Sequence, residues 1–195
     1  MVIAPGLRRG AMLLGLVGTL IAAGGRTVGA EVSSGGPSEY QVKAAYLYYL
    51  ATFVDWPPEA LPLDSDSLII GVLGDDPFGD ILEATVRGKI VNNRSLIVSR
   101  IRNVKNARQC NILFISSSEQ GDLPTILKFL DGAAILTVGE FGEFAARGGQ
   151  IGFRTEDRKV RFDINIAAVE RSGLKISAQL MKLGRIVKES ERPGG

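Results

Sequence analysis

Runs of apolar residues separated by turn residues predict alternating buried strands and helices along most of this chain. Compact apolar runs, which are typical of buried strands, lie at 68–73, 110–115 and 134–138, and an imperfect alternation predicts a further strand at 95–101. Apolar residues at helical spacing predict helices at 38–55, 78–86 and 123–130, with a single helical turn at 143–147. Ser38 and Gln41 match a capping box for the first helix, and Pro57 and Pro58 cannot continue it.

The pattern changes in the last third of the chain. Apolar and polar residues alternate over 150–154 and 159–165 around the turn-rich residues 155–158, which predicts a β-hairpin with one solvated face. A short helix at 166–172 and a final helix at 174–188 follow. We therefore expect a single α/β domain with a mixed, mainly parallel sheet covered by helices, a C-terminal β-hairpin and a terminal helix.

The predicted final helix is amphipathic. One face carries Ile176, Leu180, Leu183 and Val187, and the opposite face carries Lys175, Lys182 and Arg185. Such a basic strip either faces solvent or binds the anionic headgroups of a membrane.

The first thirty residues have the order of a secretory signal peptide. Arg8 and Arg9 precede an uncharged apolar run at 11–23, and small residues occupy 28–30. The run is shorter than the roughly 20 residues that span a bilayer. We expect a cleaved signal peptide at 1–30, a flexible lead-in at 31–37, the domain at 38–190 and a disordered tail at 191–195. The mature protein would then be periplasmic.

Composition removes several classes of function. The 23 basic and 21 acidic residues become 20 and 21 once Arg8, Arg9 and Arg26 leave with the signal peptide, so nothing indicates nucleic-acid binding. The chain has no histidine and a single cysteine, Cys110, which excludes histidine-dependent triads, thiolate zinc clusters and internal disulfides. We expect no enzyme activity, no cofactor and no metal site. Cys110 itself is expected to be a buried thiol, the alternative being an exposed thiol that pairs with another chain.

The first helix carries two apolar stripes on nearly opposite sides. Tyr40, Ala44, Leu47, Ala51 and Val54 form one stripe. The other, the aromatic stripe, consists of Val42, Tyr46, Tyr49 and Phe53. A helix needs one apolar face to pack on a sheet. Either the same domain buries both stripes, or the aromatic stripe binds a partner or a second copy.

This helix begins a series of landmarks that covers nearly all of the mature chain. The landmarks are YQVKAAYL (40–47), FVDWP (53–57), IGVLGDDPFG (70–79), CNILFI (110–115), ILTVG (135–139), GGQI (148–151), RFDIN (161–165) and LKIS (174–177). In this order they resemble the YfiR-like family of periplasmic proteins.

The resemblance implies an exported, non-enzymatic regulator. Family members bind the sensor domain of a membrane-anchored diguanylate cyclase and hold cyclic-di-GMP low, and an outer-membrane lipoprotein can sequester them. The implied role is repression of that cyclase and regulation of biofilm formation. We also expect a homodimer. The chain departs from relatives that carry paired cysteines, because Cys110 has no partner in the sequence.

The glycine-rich turn at 74–79 is the alternative candidate site. Gly74, Asp75, Asp76 and Gly79 follow a predicted strand, and ligands bind at such strand ends in open α/β sheets. Phosphate-loop spacings are missing, and the two aspartates would repel phosphate, so we expect them to cap the next helix. This turn supports the alternative function, a periplasmic small-molecule binding module.

A carboxylate-dependent hydrolase is the third hypothesis. Asp163 would need a second acid beside it, from Glu140 or Glu143, and the sequence does not place one there. We expect Asp163 to form a salt bridge and Asn165 to cap a helix instead.

Overall fold

The computed structural model describes residues 36–61 and 65–190, and all of them fall in one compact unit. The predicted signal peptide, its boundary and the 191–195 tail lie outside the described residues. The helices are α1 (Glu39–Phe53), α2 (Asp80–Val86), α3 (Leu123–Phe129), α4 (Ile166–Arg171) and α5 (Ala178–Leu183). The strands are β1 (Val54–Asp55), β2 (Ser67–Leu73), β3 (Ile90–Val91), β4 (Arg94–Ile101), β5 (Ile112–Ile115), β6 (Leu136–Gly139), β7 (Ile151–Glu156), β8 (Lys159–Ile164), β9 (Lys175–Ile176) and β10 (Arg185–Ile186).

Eight of these strands form one sheet in the order β10-β8-β7-β6-β5-β2-β4-β3. The five neighbouring strands β7, β6, β5, β2 and β4 are all parallel. The β7–β8 and β3–β4 pairs are antiparallel, and β10 is parallel to β8. Every residue of β5 and β6 is buried, because helices cover the sheet on both faces. The expected α/β class, with a mixed and mainly parallel sheet, is therefore confirmed.

Two apolar clusters fill the two faces of the sheet. On one face, side chains of α1 and α2 such as Leu47 and Leu82 pack on β2 and β5. On the other face, Ile126 of α3 packs on Leu113 and Ile115. The predicted strand at 110–115 begins only at Ile112, because Cys110 ends a 3-10 turn and donates its N–H to Ala107.

The capping box of α1 is confirmed. Ser38 Oγ accepts the N–H of Gln41, and the Gln41 side chain accepts the N–H of Ser38. The helix ends at Phe53, two residues before the predicted end. Val54–Asp55 then pairs with Lys175–Ile176 in a separate two-stranded sheet. This small sheet fastens the end of α1 to the segment after α4.

The predicted hairpin is also confirmed. Strands β7 and β8 flank a two-residue turn in which Asp157 and Arg158 both have positive φ, the backbone conformation of a type I′ turn. Phe153 and Phe162 face each other on the buried side.

The predicted terminal helix at 174–188 is wrong in extent. Only Ala178–Leu183 is helical, since the preceding residues pair with β1 and Ser177 caps the helix through its Oγ. Gly184 ends the helix against the sheet, where a Cβ would lie 2.5 Å from the Phe162 ring and 2.7 Å from Ile164. Leu183, expected on the buried face, is 63% exposed. The predicted basic strip is dispersed because Arg185 lies on β10.

Candidate functional site

The two stripes of α1 have different environments. Ala44, Leu47 and Ala51 of the first stripe are fully buried. In the aromatic stripe, Val42, Tyr46 and Phe53 are half-buried against the core, and Tyr49 is 49% exposed. Helix α1 therefore packs on the sheet with one side, and Tyr49 is the exposed position of its aromatic stripe.

Tyr46 belongs partly to the core. Its ring lies 5.3 Å from the Phe162 ring in an edge-on arrangement and 6.0 Å from the Phe153 ring. Edge-on aromatic pairs of this kind stabilise a fold beyond the area that they bury. Tyr46 thus connects α1 to the hairpin, and its outer edge alone remains available to a partner.

The most accessible part of α1 is the set that we name the aromatic surface, Tyr48, Tyr49 and Phe53, in which Tyr49 is exposed and the other two are half-buried. The Tyr49 ring lies 5.5 Å from Tyr48 and stacks on Phe53 at 6.3 Å. The Lys89 ammonium lies 5.4 Å above the Tyr48 ring. Tyr48 was not among the predicted surface residues. Its position next to Tyr49 was the available signal, but helical spacing places it on neither stripe.

A buried ion cluster holds the first turns of α1 on the sheet. Lys43 Nζ lies 2.7 Å from Glu140 Oε2, just after β6, and 2.6 Å from Glu39 Oε1. The ammonium also lies 4.6 Å above the ring of Tyr40. Sequence reasoning missed this cluster, because Lys43 reads as an exposed helix residue and Glu140 is distant in the chain.

The charges in this cluster stabilise one another. Burial by itself lowers the pKa of Lys43, but the hydrogen bonds to Glu140 and Glu39 together outweigh it and raise that pKa. The hydrogen bond from Lys43 lowers the pKa of Glu39. Burial, followed by the charge of Glu140, raises the pKa of Tyr40. The cluster is therefore a paired structural site in which Glu140 faces a cation.

The glycine-rich turn after β2 is filled by the chain's own side chains. Ser118 Oγ accepts the N–H of Asp75, and a Cβ on Gly74 would meet Ser118 and lie 2.7 Å from Glu119. The expected capping role of the aspartates is wrong: α2 begins later, with Gly79 in the cap position. Asp76 instead accepts the N–H of Phe78 and binds Arg100 of β4 at 2.7 Å.

Asp163 and Asn165 have the structural roles that their positions predict. Asp163 accepts hydrogen bonds from Arg154 and Arg185, both at 2.9 Å to Oδ1. Asn165 is fully buried and caps α4 by accepting the N–H of Ala168. Asp163 therefore pairs with two guanidinium groups.

A groove crosses the edge of the sheet where the parallel strands begin, and we name it the amino-edge groove. It has a volume of about 700 Å³ and lies opposite the strand ends that carry the glycine-rich turn. Its walls include Arg108, Asn111, Ala133, Arg171 and Ser172. Sequence reasoning did not identify this groove, because loops distant in sequence form its walls.

Neither a metal site nor a membrane span is found in the described part of the chain. Residues 36–61 and 65–190 contain no group of three or more Cys, Asp or Glu placed to hold a metal ion. Within the same ranges, no helix has the length and apolarity that crossing a bilayer requires.

The sequence comparison agrees with this architecture. The sequence model of the YfiR/HmsC-like family matches residues 40–185, which spans α1 through the first residue of β10. The chain belongs to the YfiR/HmsC-like family. This family is periplasmic and regulatory rather than catalytic, and its members act in the control of diguanylate cyclases and cyclic-di-GMP. Family membership thus gives the chain a regulatory context, in which α1 is the candidate interaction surface.

Proposed function

We propose that this chain represses a membrane-anchored diguanylate cyclase by binding its periplasmic sensor domain through the aromatic surface of α1. One observation carries the proposal: Tyr49 is half exposed and lies against two other aromatic rings, tilted on Tyr48 and stacked on Phe53, on a helix whose opposite side is fully buried. Tyrosine and phenylalanine are enriched in the cores of protein interfaces.

The anchoring of α1 supports this role. The capping box, the Lys43 ion cluster and the β1–β9 pairing fix the helix near its start, on its buried side and at its end. A surface that is already rigid loses less entropy on binding. The aromatic surface is therefore organised before a partner arrives.

The finer parts of the proposal concern location and assembly. Residues 1–30 act as a cleaved signal peptide, the mature chain forms a homodimer, and an outer-membrane lipoprotein sequesters it to release the cyclase. The resulting change in cyclic-di-GMP regulates biofilm formation. The periplasmic, regulatory family supports export and a regulatory role.

The deciding experiment measures intracellular cyclic-di-GMP in cells that lack this chain. The level should rise on deletion and return when the full gene is restored, but not when residues 2–30 are missing from it. An unchanged level on deletion would contradict the proposal. Restoration by the leaderless version would contradict the periplasmic site of action.

A second candidate, a periplasmic small-molecule binding module, is favoured by the amino-edge groove. The glycine-rich turn is the weaker site for such a ligand, because Ser118 and Glu119 already occupy its space. A metabolite that fills the groove should raise the melting temperature of the wild type. The rise should disappear in Ala133→Trp, which fills the groove, and persist in Gly79→Asn at the other candidate site.

A further inference from the structure

The hairpin has two faces of opposite character. Side chains alternate between the faces of a strand, so Phe153 and Phe162 lie on the face that packs under α1. Arg154 and Arg161 occupy directly opposite positions of the two strands, on the other face of the hairpin. Arg185 of β10 pairs with Asp163 and adds a third guanidinium to that face.

Four cations on three neighbouring strands form what we name the basic face: Arg154, Lys159, Arg161 and Arg185. Two carboxylates, Glu156 and Asp163, share this face, which leaves it with a net positive charge. Lys159 and Arg161 are exposed and make no hydrogen bond or ion pair with any described residue. The hydrogen bond from Arg154 lowers the pKa of Glu156, and the charge of Arg161 helps to lower it. Neither Lys159 nor Arg161 is held in a hydrogen bond by a described residue, so both can reach an external anion.

Asp163 fixes the orientation of two of the arginines. Its Oδ1 accepts from the Nε atoms of Arg154 and Arg185, and its Oδ2 accepts from Arg185 Nη2 at 2.7 Å. Arg154 also binds Glu156. Each guanidinium has five N–H donors, so these bonds leave donors unused on both arginines. Such donors match phosphate oxygens.

We propose that the basic face binds the anionic phosphate headgroups of a phospholipid bilayer. The cations project from adjacent strands of one sheet and so form an extended array, which suits a planar layer of headgroups. Each Lys or Arg near an anionic membrane adds to binding, and the attraction weakens within about one Debye length.

Binding through this face would orient the molecule. Because α1 packs on the other face of the hairpin, the aromatic surface points away from the bilayer. There it can meet the periplasmic domain of a membrane-anchored partner. Lipid binding does not depend on that partner, so each proposal can fail without the other.

The test is sedimentation of the protein, purified after export, with vesicles of phosphatidylcholine alone or mixed with phosphatidylglycerol. We expect binding only to the mixed vesicles, and weaker binding in high salt. Reversing two charges in Lys159→Glu/Arg161→Glu should lower the partition coefficient by about tenfold or more. The matched control, Arg102→Glu/Lys105→Glu, makes the same charge change beside β4, near the other edge of the sheet.

Equal binding to both vesicle types would overturn the proposal, as would equal losses in the two double variants. Circular dichroism of each variant separates lost binding from lost folding. A parallel binding measurement with polyglutamate tests whether the basic face binds an acidic protein instead of lipid headgroups. Binding to polyglutamate, but not to vesicles, with the same dependence on Lys159 and Arg161 would assign the face to an acidic protein instead.

Discussion

Lys43 donates a hydrogen bond from its Nζ to Oε2 of Glu140 at 2.7 Å, although 97 positions separate the two residues in the chain. The two side chains are only 5% and 7% exposed. The pair joins the first turns of α1 to the end of β6. The position of the aromatic surface therefore depends on an ion pair that contributes nothing to that surface directly.

Removing one member of this pair should cost far more stability than removing both. In Glu140→Leu the buried ammonium retains only the half-exposed Glu39 as a carboxylate partner, so we expect a loss of about 3 kcal/mol or more. The double variant Lys43→Met/Glu140→Leu should recover much of that loss. Urea unfolding measures the stability of the single and the double variant. Glu170→Leu, at an exposed carboxylate, should stay within about 0.5 kcal/mol of wild type. A double variant no more stable than Glu140→Leu would contradict this account.

The same cluster predicts a pH window. The lowered pKa of Glu39 contributes stability above its ordinary value of 4.5, and this is lost as the pH falls through the folded-state pKa. The raised pKa of Lys43 contributes stability below 10.5, and this is lost as the pH rises through the folded-state pKa. The difference in unfolding free energy between wild type and Lys43→Met should therefore be largest between these limits. A difference that does not change with pH would be evidence against the coupling.

The sequence predicts the fold well where burial gives the apolar residues a regular spacing along the chain. Strands β2, β5 and β6 are recognisable because each lies in a compact, mainly apolar run, and the hairpin because its two strands alternate around a turn. Strands β1, β9 and β10 have two residues each, too few for any period. They exist because of partners distant in sequence, such as Ile176 for Val54.

The candidate site was only partly predictable for a related reason. Helical spacing places Tyr46 and Tyr49 on one stripe, but the hairpin covers Tyr46 and leaves Tyr49 exposed. The partners of Lys43 and Asp163 depend on the tertiary fold. Gln150 is a similar case, a buried amide whose hydrogen bonds to Thr137 and Ser172 no local pattern indicates.

Phe144 should make Gly139 intolerant of any side chain. A Cβ built on Gly139 would collide with the Phe144 ring, which is buried. Gly139→Ala should lower the unfolding free energy by about 1–3 kcal/mol. Gly142→Ala is the matched control, because nothing lies within 4 Å of its Cβ position, and it should change stability by less than about 1 kcal/mol. Denaturant unfolding compares the two, and equal effects would contradict the packing argument.

Cys110 should react slowly with a thiol reagent while the protein is folded. Burial raises the pKa of its thiol from 9.0 to about 11, which lowers the thiolate fraction at neutral pH by about a hundredfold. The chain has no other cysteine, so a reagent such as dithionitrobenzoate reports on this residue alone. We expect the rate to increase steeply on unfolding in urea. Rapid reaction of the folded protein would show that the thiol is accessible.

Tyr49 and Tyr46 should separate partner binding from folding. Tyr49→Ala removes a half-exposed ring and should change stability by about 0.5 kcal/mol at most, yet weaken binding to the cyclase sensor domain by about tenfold or more. Tyr46→Ala removes the contacts with Phe153 and Phe162 and should cost about 2–3 kcal/mol of stability. Urea unfolding and a binding titration with the sensor domain measure the two effects.

The matched control for Tyr49→Ala is Ile97→Ala, which removes a similarly exposed apolar side chain from β4, near the other edge of the sheet. Side chains alternate along β4, and Leu96 and Val98 face the cluster that contains α1, so Ile97 lies on the opposite face of the sheet. This change should therefore leave binding to the sensor domain intact. If both variants bound equally weakly, general loss of apolar surface would explain the result. If Tyr49→Ala bound as well as wild type, the aromatic surface would not be the contact, even if the chain still repressed a cyclase through another surface.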